Sequence, residues 1–241
     1  MSGFTDLHCH LLPGVDDGAK TLEDALEMAR ALVELGFSTV APSPHARPEY
    51  ASAVVAKERL AQLEVALAQA AIPLSLAPNA ENFFLEDGFF THLQGADSRQ
   101  IGSGGYVLVE APYTNPLPTL TEMIFRIKLK GVTPLIAHPE RCAEFEKKGR
   151  AAAAVHAGAC LQLDVGALTG RYGPGAKKLA RTFLEEGLYA VGATDLHGPV
   201  GAREWVGKAL EELRKRVGEP QFLALMRENP ARILRGESLE T

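Results

Sequence analysis

The sequence predicts an α/β fold in which a parallel sheet closes into a barrel with helices outside it. Short apolar runs alternate with longer amphipathic stretches along the 241 residues, a pattern typical of parallel strands connected by helices. There are about seven apolar runs, close to the eight strands of a (β/α)₈ barrel. No linker rich in Gly, Ser or Pro divides the sequence, so we expect residues 1–241 to form a single domain.

The first strand is predicted in FTDLHCH and the first helix in TLEDALEMARALVELG. Apolar residues recur in the second stretch at helical spacing, at Leu22, Leu26, Ala29 and Val33. Thr21 is the expected N-cap, and Asp24 three residues later resembles the acidic partner of a capping box. Gly36 ends the pattern, so the helix is expected to stop before it.

The later elements follow the same alternation. Strands are predicted in STVAPSPH, LSLAPNAE, YVLVEAPY, VTPLIAHPER, CLQLDVGAL and YAVGATDLH. Helices are predicted in PEYASAVVAKERLAQLEVALAQA, LTEMIFRIKLKG, EKKGRAAAAVHAG and GAKKLARTFLEEG, and two further helical stretches finish the sequence. Every predicted strand is therefore separated from the next by enough residues for a parallel crossover or an irregular loop.

Composition excludes several classes of protein. The formal net charge is −5 and no run of Lys or Arg is present, so we expect no nucleic-acid partner. The three cysteines, Cys9, Cys142 and Cys160, are odd in number and unrelated in spacing, which fits neither a disulfide framework nor a Cys-x-x-Cys metal site. The sequence shows no signal-peptide pattern and no apolar stretch of ~20 residues. We expect a cytoplasmic protein that does not insert into a membrane.

Histidines and acids gather at the ends of the predicted strands. His8 and His10 alternate along the first strand, so both side chains face the same side. The C-terminal ends of barrel strands meet at one mouth, where catalytic groups lie. The residues that end the predicted strands are His8, His10, His45, Glu81, Glu110, His138, Asp195 and His197. Five of the seven histidines are therefore expected at one opening, with carboxylates beside them.

Such a cluster indicates metal ions. Carboxylates at a barrel mouth repel one another unless cations neutralise them. Imidazole nitrogen with carboxylate oxygen and no thiolate suits Mn²⁺, Zn²⁺ or Fe²⁺ better than Ca²⁺. The ligands outnumber what one ion can use, so we expect two or three divalent ions close together, bridged by a carboxylate and a water.

The motifs resemble those of the PHP (polymerase and histidinol phosphatase) superfamily. They are DLHCHLLPGVDDGAKTLEDAL, PSPH, NAENFF, VEAP, AHPER and TDLH. Within the superfamily they are most similar to the bacterial manganese-dependent tyrosine phosphatases that act on capsule and exopolysaccharide kinases. LPGVDDGAKT and HPER are the most specific of these stretches.

The resemblance implies a distorted (β/α)₇ barrel, the PHP fold, with three metal ions at its mouth. It assigns the first ion to His8, His10, Glu81 and Asp195. It assigns the second to Glu81, Glu110 and His138, and the third to Asp17, His45, His197 and Glu110. Asp17 is chosen over Asp16 because the second aspartate of VDDG is the family's ligand.

The resemblance also implies two phosphate-binding arginines. Arg141 of HPER matches the first, and Arg203 is the nearest match to the second, although it lies slightly beyond the family's position. No cysteine is followed at the sixth residue by an arginine, so the loop of cysteine-based tyrosine phosphatases is absent from the sequence. The predicted activity is therefore metal-dependent phosphomonoester hydrolysis, in which a metal-bridged hydroxide attacks a phosphotyrosine.

Three alternatives stay open at this point. The same site would serve a histidinol-phosphate phosphatase, another small-molecule phosphatase or a phosphodiesterase. An amidohydrolase also carries His-x-His on its first strand, but often has a carboxylated lysine at a central strand end, where this sequence has Glu110. A barrel that binds metal without turnover is the third. The resemblance implies a phosphotyrosine protein as partner, such as the tail of a bacterial tyrosine kinase, and leaves the oligomeric state open.

Overall fold

The computed structural model describes residues 3–85, 88–93 and 99–239. In these ranges, eight parallel strand segments form two sheets. The first sheet has the order β1 (Phe4–Asp6), β2 (Phe37–Val40), β3 (Ser75–Leu76). The second has the order β4 (Glu81–Phe83), β5 (Tyr106–Glu110), β6 (Thr133–Ala137), β7 (Cys160–Asp164), β8 (Tyr189–Ala193).

The last strand joins the first just beyond the C-terminal ends of β8 and β1. The N–H of Asp195 donates to the carbonyl of His8 at 2.8 Å, and the N–H of His10 donates to the carbonyl of Leu196 at 2.9 Å. These bonds continue the parallel ladder from one sheet into the other. They also bring the His-x-His pair of the first strand beside the Asp-x-His pair of the last.

A buried carboxylate reinforces this junction. The side chain of Asp6 accepts hydrogen bonds from the hydroxyl of Thr194 at 2.5 Å and from the N–H groups of Thr194 and His8 at 3.2 and 3.1 Å. Burial raises the pKa of Asp6 to about 6 against the opposing effect of these hydrogen bonds. Asp6 therefore fixes the backbone from which His8 projects.

The second junction closes the barrel between β2 and β4. The N–H of Glu81 donates to the carbonyl of Pro44 at 3.0 Å, and the N–H of Ala46 donates to the carbonyl of Glu81 at 2.8 Å. His45 and Glu81 thereby become neighbours across a parallel bridge. With both junctions made, the two sheets form one distorted α/β barrel, as the sequence predicts.

The predicted strand LSLAPNAE is interrupted into β3 and β4. Pro78 has no N–H for a ladder hydrogen bond, and the side-chain amide of Asn79 donates to the carbonyl of Leu7 at 2.8 Å. The side chain thus makes the cross-strand contact where the backbone cannot. If β3 and β4 are counted as one interrupted strand, the barrel has the seven strands expected from the sequence.

Helices cover the outside of the barrel. They are α1 (Leu22–Glu34), α2 (Ala53–Gln69), α3 (Leu120–Leu129), α4 (Arg150–His156), α5 (Val165–Thr169), α6 (Gly173–Glu185), α7 (Ala202–Leu223) and α8 (Asn229–Leu234). A π-helical turn, Ala224–Glu228, joins the last two. None of the helices in the described ranges is both long enough and apolar enough to span a bilayer.

N-cap side chains determine where α1, α2 and α5 begin. The capping box predicted for α1 is confirmed, since Thr21 accepts from the N–H of Asp24 at 3.1 Å and Asp24 accepts from the N–H of Thr21 at 3.0 Å. The second helix begins later than predicted, because Ser52 rather than an earlier residue caps it. The predicted strand CLQLDVGAL ends at Asp164, whose carboxylate accepts from the N–H of Gly166 and starts α5.

The helix α2 rests on the barrel through a narrow apolar face. Only Leu63 and Leu67 of its 17 residues are buried. Replacing Leu63 with alanine is therefore expected to lower the free energy of unfolding by about 2–5 kcal/mol, measured by urea denaturation. Val65→Ala is the matched control, because Val65 is exposed on the same helix and should cost no more than about 0.5 kcal/mol. If the two variants lost the same free energy of unfolding, the packing of α2 on the barrel through Leu63 would be contradicted.

Candidate metal centre

The predicted metal ligands leave the C-terminal ends of the strands and meet at one mouth of the barrel. His138 directly follows β6 and Asp195 follows β8, and both have left-handed backbones, with φ of 30° and 51°. Non-glycine residues seldom adopt this conformation, and its cost is typical of functional sites. The left-handed turn sends the chain away from the strand at the residue whose side chain enters the mouth.

Glu81 lies at the centre of the cluster. Its Oε1 is 3.1 Å from Nε2 of His138 and 3.4 Å from Nε2 of His8. Its Oε2 is 2.8 Å from Nδ1 of His45 and 3.5 Å from Nε2 of His10. One buried carboxylate therefore faces four imidazoles from three different strand ends, a position suited to bridging two cations.

Asp195 is the second buried carboxylate of the cluster. Its Oδ1 is 3.2 Å from Nε2 of His8, 3.4 Å from Nε2 of His10 and 3.6 Å from Nδ1 of His197. Its Oδ2 accepts a hydrogen bond from Arg141 at 2.5 Å. Asp195 thus joins the metal-ligating side of the mouth to a guanidinium group.

Asp17 faces an outer group of histidines. Its Oδ1 is 3.4 Å from Nε2 of His45 and 3.5 Å from Nε2 of His197. The ring of His197 stacks on that of His10, with 3.9 Å between centroids. Because Asp17 is half exposed, this group opens to solvent, unlike the buried group around Glu81.

Asp16 has a different position from Asp17. Its carboxylate is hydrogen-bonded to Nδ1 of His10 at 2.7 Å, and it accepts from the N–H groups of Gly18 at 2.9 Å and His45 at 3.1 Å. Asp16 therefore orients ligands rather than facing the other donors. It leaves Nε2 of His10 directed at the carboxylates, an arrangement common around metal-bound histidines.

Gln162 orients the other histidine of the first strand. Its Oε1 lies 2.8 Å from Nδ1 of His8, and its amide nitrogen donates to the carbonyl of Leu163 at 2.8 Å. Nδ1 of His8 then carries the proton, and Nε2 is free to accept a metal ion. The sequence reasoning missed Gln162, although an uncharged polar residue inside the buried run CLQLD was a signal for it.

The distances between the donor atoms show whether these atoms could bind the same metal ion. Two ligand atoms each about 2.1 Å from one ion and 90–110° apart are separated by about 3.0–3.4 Å. The contacts of His8 and His10 with Glu81 and Asp195 span 3.2–3.5 Å. Donors at these distances would share a cation without large movements.

Unpaired polar atoms support the same conclusion. Within the described residues, the buried atoms Nδ1 of His45, Oε2 of Glu81, Nδ1 of His138 and Oδ1 of Asp195 make no hydrogen bond. Nδ1 of His45 and Oε2 of Glu81 are 2.8 Å apart, but neither atom has a hydrogen-bond partner. Buried polar atoms without partners are costly, and coordination by a cation would satisfy them.

The electrostatics of the cluster favour cations. Burial alone would lower the pKa of His8, but Glu81 and Asp195 outweigh it and raise the pKa to about 9. Hydrogen bonds with His197 and His45 lower the pKa of Asp17. The carboxylates therefore attract protons onto the histidines, and divalent ions would compete with those protons for the same nitrogen atoms.

Glu110 connects the cluster to two side chains that the sequence reasoning missed. Its Oε2 accepts from the hydroxyl of Tyr113 at 3.0 Å, and its Oε1 accepts from Nη2 of Arg47. Burial, and then repulsion from Glu81, raise the pKa of Glu110 to about 7. Arg47 and Tyr113 lie in loops beyond strand ends, where no periodic pattern marks a residue as part of the site.

The two predicted arginines occupy different environments. Nη1 of Arg141 donates to Asp195 at 2.5 Å and to Asp164 at 3.2 Å, so this guanidinium lies at the mouth. Arg203 donates to Glu34 at 2.5 and 2.9 Å and to Glu27 at 2.6 Å, both on α1. The structure therefore brings Arg141 to the cluster and holds Arg203 on the outer helices.

All nine predicted ligands fall into groups whose ligand atoms lie within 4.8 Å of one another. The groups are His8, His10 and Glu81; His8, His138 and Asp195; His45, Glu81 and Glu110; and His10, Asp17, His45 and His197. In the outer group His10, rather than the expected Glu110, accompanies Asp17, His45 and His197. How ions would divide these ligands stays a prediction.

Known proteins are similar in sequence to this chain over nearly its full length. The family model for capsular polysaccharide synthesis, CpsB/CapC, matches residues 4–235. Tyrosine-protein phosphatase YwqE of Bacillus subtilis (strain 168) is 30% identical over 237 residues, which cover 97% of this chain and 92% of YwqE. Tyrosine-protein phosphatase CpsB of Streptococcus pneumoniae is 26% identical over 238 residues, 95% of this chain and 97% of CpsB.

Solved structures share its fold. One comes from work on crystal structures of YwqE from Bacillus subtilis and CpsB from Streptococcus pneumoniae, described as unique metal-dependent tyrosine phosphatases. It matches with a TM-score of 0.88 and 30% identity over 98% of this chain and 96% of that one. A phosphotriesterase homology protein from Escherichia coli, at 14% identity over 96% of this chain and 98% of that one, shares the fold alone, with a TM-score of 0.62. The chain belongs to the CpsB/CapC family of capsular polysaccharide synthesis.

Proposed function

We propose that the chain is a metal-dependent protein-tyrosine phosphatase. The observation that carries the proposal is the position of Arg141, whose guanidinium touches the buried cluster through Asp195 and is flanked by two aromatic rings. Its central carbon lies 4.1 Å from the ring centroid of Tyr172 and 5.0 Å from that of Tyr113. A cation for phosphate and aromatic surfaces for a phenyl ring therefore stand together beside the metal ligands.

A cavity beside the cluster has room for the substrate side chain. Its volume is about 490 Å³, and its lining includes Tyr113, Arg141, Glu146, Tyr172, Lys178 and Leu179. This volume lies in the range typical of sites for small ligands. Aromatic and apolar walls suit a phenyl ring, and Lys178 and Glu146 could contact the flanking peptide.

The metal ligands proposed are the nine residues named above, holding two or three divalent ions. We propose manganese, since imidazole and carboxylate donors suit it and the sequence motifs resemble manganese-dependent enzymes. When bound, such ions would neutralise the substrate phosphate and supply a nucleophile from water near neutral pH.

The protein's own residues would bind and position the phosphate. Asp195 and Asp164 fix the guanidinium of Arg141 from one side, which leaves its remaining N–H groups for phosphate oxygens. Arg141 would then stabilise negative charge as it grows in the transition state. The leaving phenol has a pKa of ~10, so its departure needs less help from an acid than that of an alkyl alcohol.

The proposed partner is a phosphotyrosine protein, and the tail of a bacterial tyrosine kinase is the specific candidate. Two observations support it: the tyrosine phosphatase names of YwqE and CpsB, and the family's description as capsular polysaccharide synthesis. A cytoplasmic location, where such a tail would be reached, and a single domain over residues 1–241 remain predictions.

A panel of substrates tests the proposal. The protein, loaded with Mn²⁺, is assayed on a phosphotyrosine peptide, a phosphoserine peptide, histidinol phosphate and a nucleotide diester. We expect the highest kcat/KM on phosphotyrosine and its loss when the metal is removed with a chelator. Hydrolysis of only histidinol phosphate or the diester would contradict the proposal, and so would activity that survives removal of the metal.

A further inference from the structure

Arg47 is a second guanidinium group at the metal centre. It follows His45 by two positions, and its Nη2 donates to Oε1 of Glu110. Its central carbon lies 4.6 Å from the ring centroid of Phe83. The side chain is 25% exposed, so the guanidinium is fixed at the edge of the cluster and still open to solvent on one side.

Arg47 and Arg141 belong to the same edge of the mouth. Tyr113 connects them, because its hydroxyl donates to Oε2 of Glu110 at 3.0 Å while its ring faces Arg141. Glu110 in turn holds Arg47 through its other oxygen. Two guanidinium groups connected through Tyr113 and Glu110 would offer a pair of donors to a dianionic phosphate.

Arg47 also retains capacity for hydrogen bonding. A guanidinium has five N–H donors, and Glu110 accepts from one nitrogen of Arg47. The Nε of Arg47 is buried and makes no hydrogen bond within the described ranges. A buried donor without an acceptor is unfavourable, and an oxygen atom of a bound phosphate would provide that acceptor.

Arg203, the residue expected to be the second phosphate-binding arginine, is already engaged. Both Nε and Nη2 donate to the carboxylate of Glu34, and Nη1 donates to Glu27. This is a bidentate pair plus a third contact, all with α1. For Arg203 to reach a phosphate it would have to give up all three bonds.

We propose that Arg47 is the second phosphate-binding residue of this site and acts together with Arg141. The inference rests on the proposed phosphatase function. It assigns to Arg47 the role that the sequence motifs suggested for Arg203. Arg47 binds the phosphate from the Glu110 side of the mouth, and Arg141 binds it from the Asp195 side.

The test compares Arg47→Ala, Arg47→Lys and Arg203→Ala with Arg59→Ala. Arg59 is the matched control because it is an exposed arginine on α2 that bonds Gln62. Binding of inorganic phosphate to the Mn²⁺-loaded proteins is measured by calorimetry, metal content is measured by mass spectrometry, and KM and kcat are measured on a phosphotyrosine peptide. Arg47→Ala should weaken phosphate binding ~10–100-fold, as expected for a lost hydrogen bond between charged groups, with the metal content unchanged. Arg47→Lys should recover part of the loss.

Two results would overturn the proposal. The first is unchanged phosphate binding in Arg47→Ala, whether or not Arg203→Ala weakens it. The second is a loss of metal from Arg47→Ala that accounts for the weaker binding. The phosphatase function is judged separately. Wild-type protein that binds phosphate through Arg47 but does not hydrolyse phosphotyrosine would support the anion site while refuting the proposed function.

Discussion

Replacing Glu81 with glutamine is expected to lower kcat/KM for a phosphotyrosine peptide by ~10³-fold or more. Glu81 faces His8, His10, His45 and His138, so it is the donor shared by most of the cluster. Glutamine keeps the shape but turns one oxygen into an N–H₂ group, which cannot bind a cation. Mutating a residue that hydrogen-bonds to a metal ligand typically lowers metal affinity or activity 10–100-fold. Mutating a ligand shared by most of the cluster should therefore lower kcat/KM by more than that. Metal bound per chain and kcat/KM are measured together.

The matched control for this variant is Glu64→Gln, an exposed glutamate on α2. It should keep both its metal and its activity. Circular dichroism shows whether Glu81→Gln is still folded. A folded Glu81→Gln protein with full metal content and normal turnover would refute the central position given to this residue.

Arg141→Ala is expected to lower kcat/KM by ~10²–10³-fold, the range seen when one donor to transition-state charge is removed. The variant should keep its metal, because the nine predicted ligands do not include Arg141. It leaves Asp164 buried without its guanidinium partner, and burial raises the pKa of Asp164, so this carboxyl should take up a proton rather than remain charged. Arg141→Lys should retain more activity than alanine but lack the paired contacts of a guanidinium.

Metal content shows whether Arg141 binds the substrate or only supports the metal ligands. Rates and metal per chain are measured for Arg141→Ala, Arg141→Lys and the exposed control Arg59→Ala. If Arg141→Ala loses activity only in proportion to lost metal, the residue supports the ligands and does not bind substrate. If kcat/KM is unchanged with full metal, the proposed phosphate contact is wrong.

The barrel mouth was predictable because the geometry of strands is regular. Side chains alternate along a strand, so His8 and His10 had to share a face, and parallel strands end at one edge, so His138 and Asp195 had to approach them. The capping box of Thr21 and Asp24 was equally local. Such features depend on spacing along the chain, which a sequence displays directly.

Other features depend on contacts between distant segments. Arg47 enters the site because β2 joins β4, which brings its loop beside Glu110. Arg203 lies close to the Asp-x-His motif in sequence, but the start of α7 directs it to Glu27 and Glu34 on α1. Neither placement follows from the period of a helix or a strand.

Two polar residues were visible in the sequence but lacked a partner that would explain them. Gln162 and Asp164 alternate in β7, as His8 and His10 do in the first strand. Gln162 orients His8 and Asp164 holds Arg141, so both act through another side chain. The role of such a residue can be identified only after the side chain that it positions is known.

The most direct test is diffraction from crystals grown with Mn²⁺, with anomalous scattering measured at the manganese edge. We expect two or three peaks at the mouth of the barrel, with the carboxylate of Glu81 between two of them and the nitrogen and oxygen atoms of the nine predicted ligands around them. An absence of peaks at the mouth, or peaks held by other residues, would contradict the metal centre and the phosphatase function proposed from it.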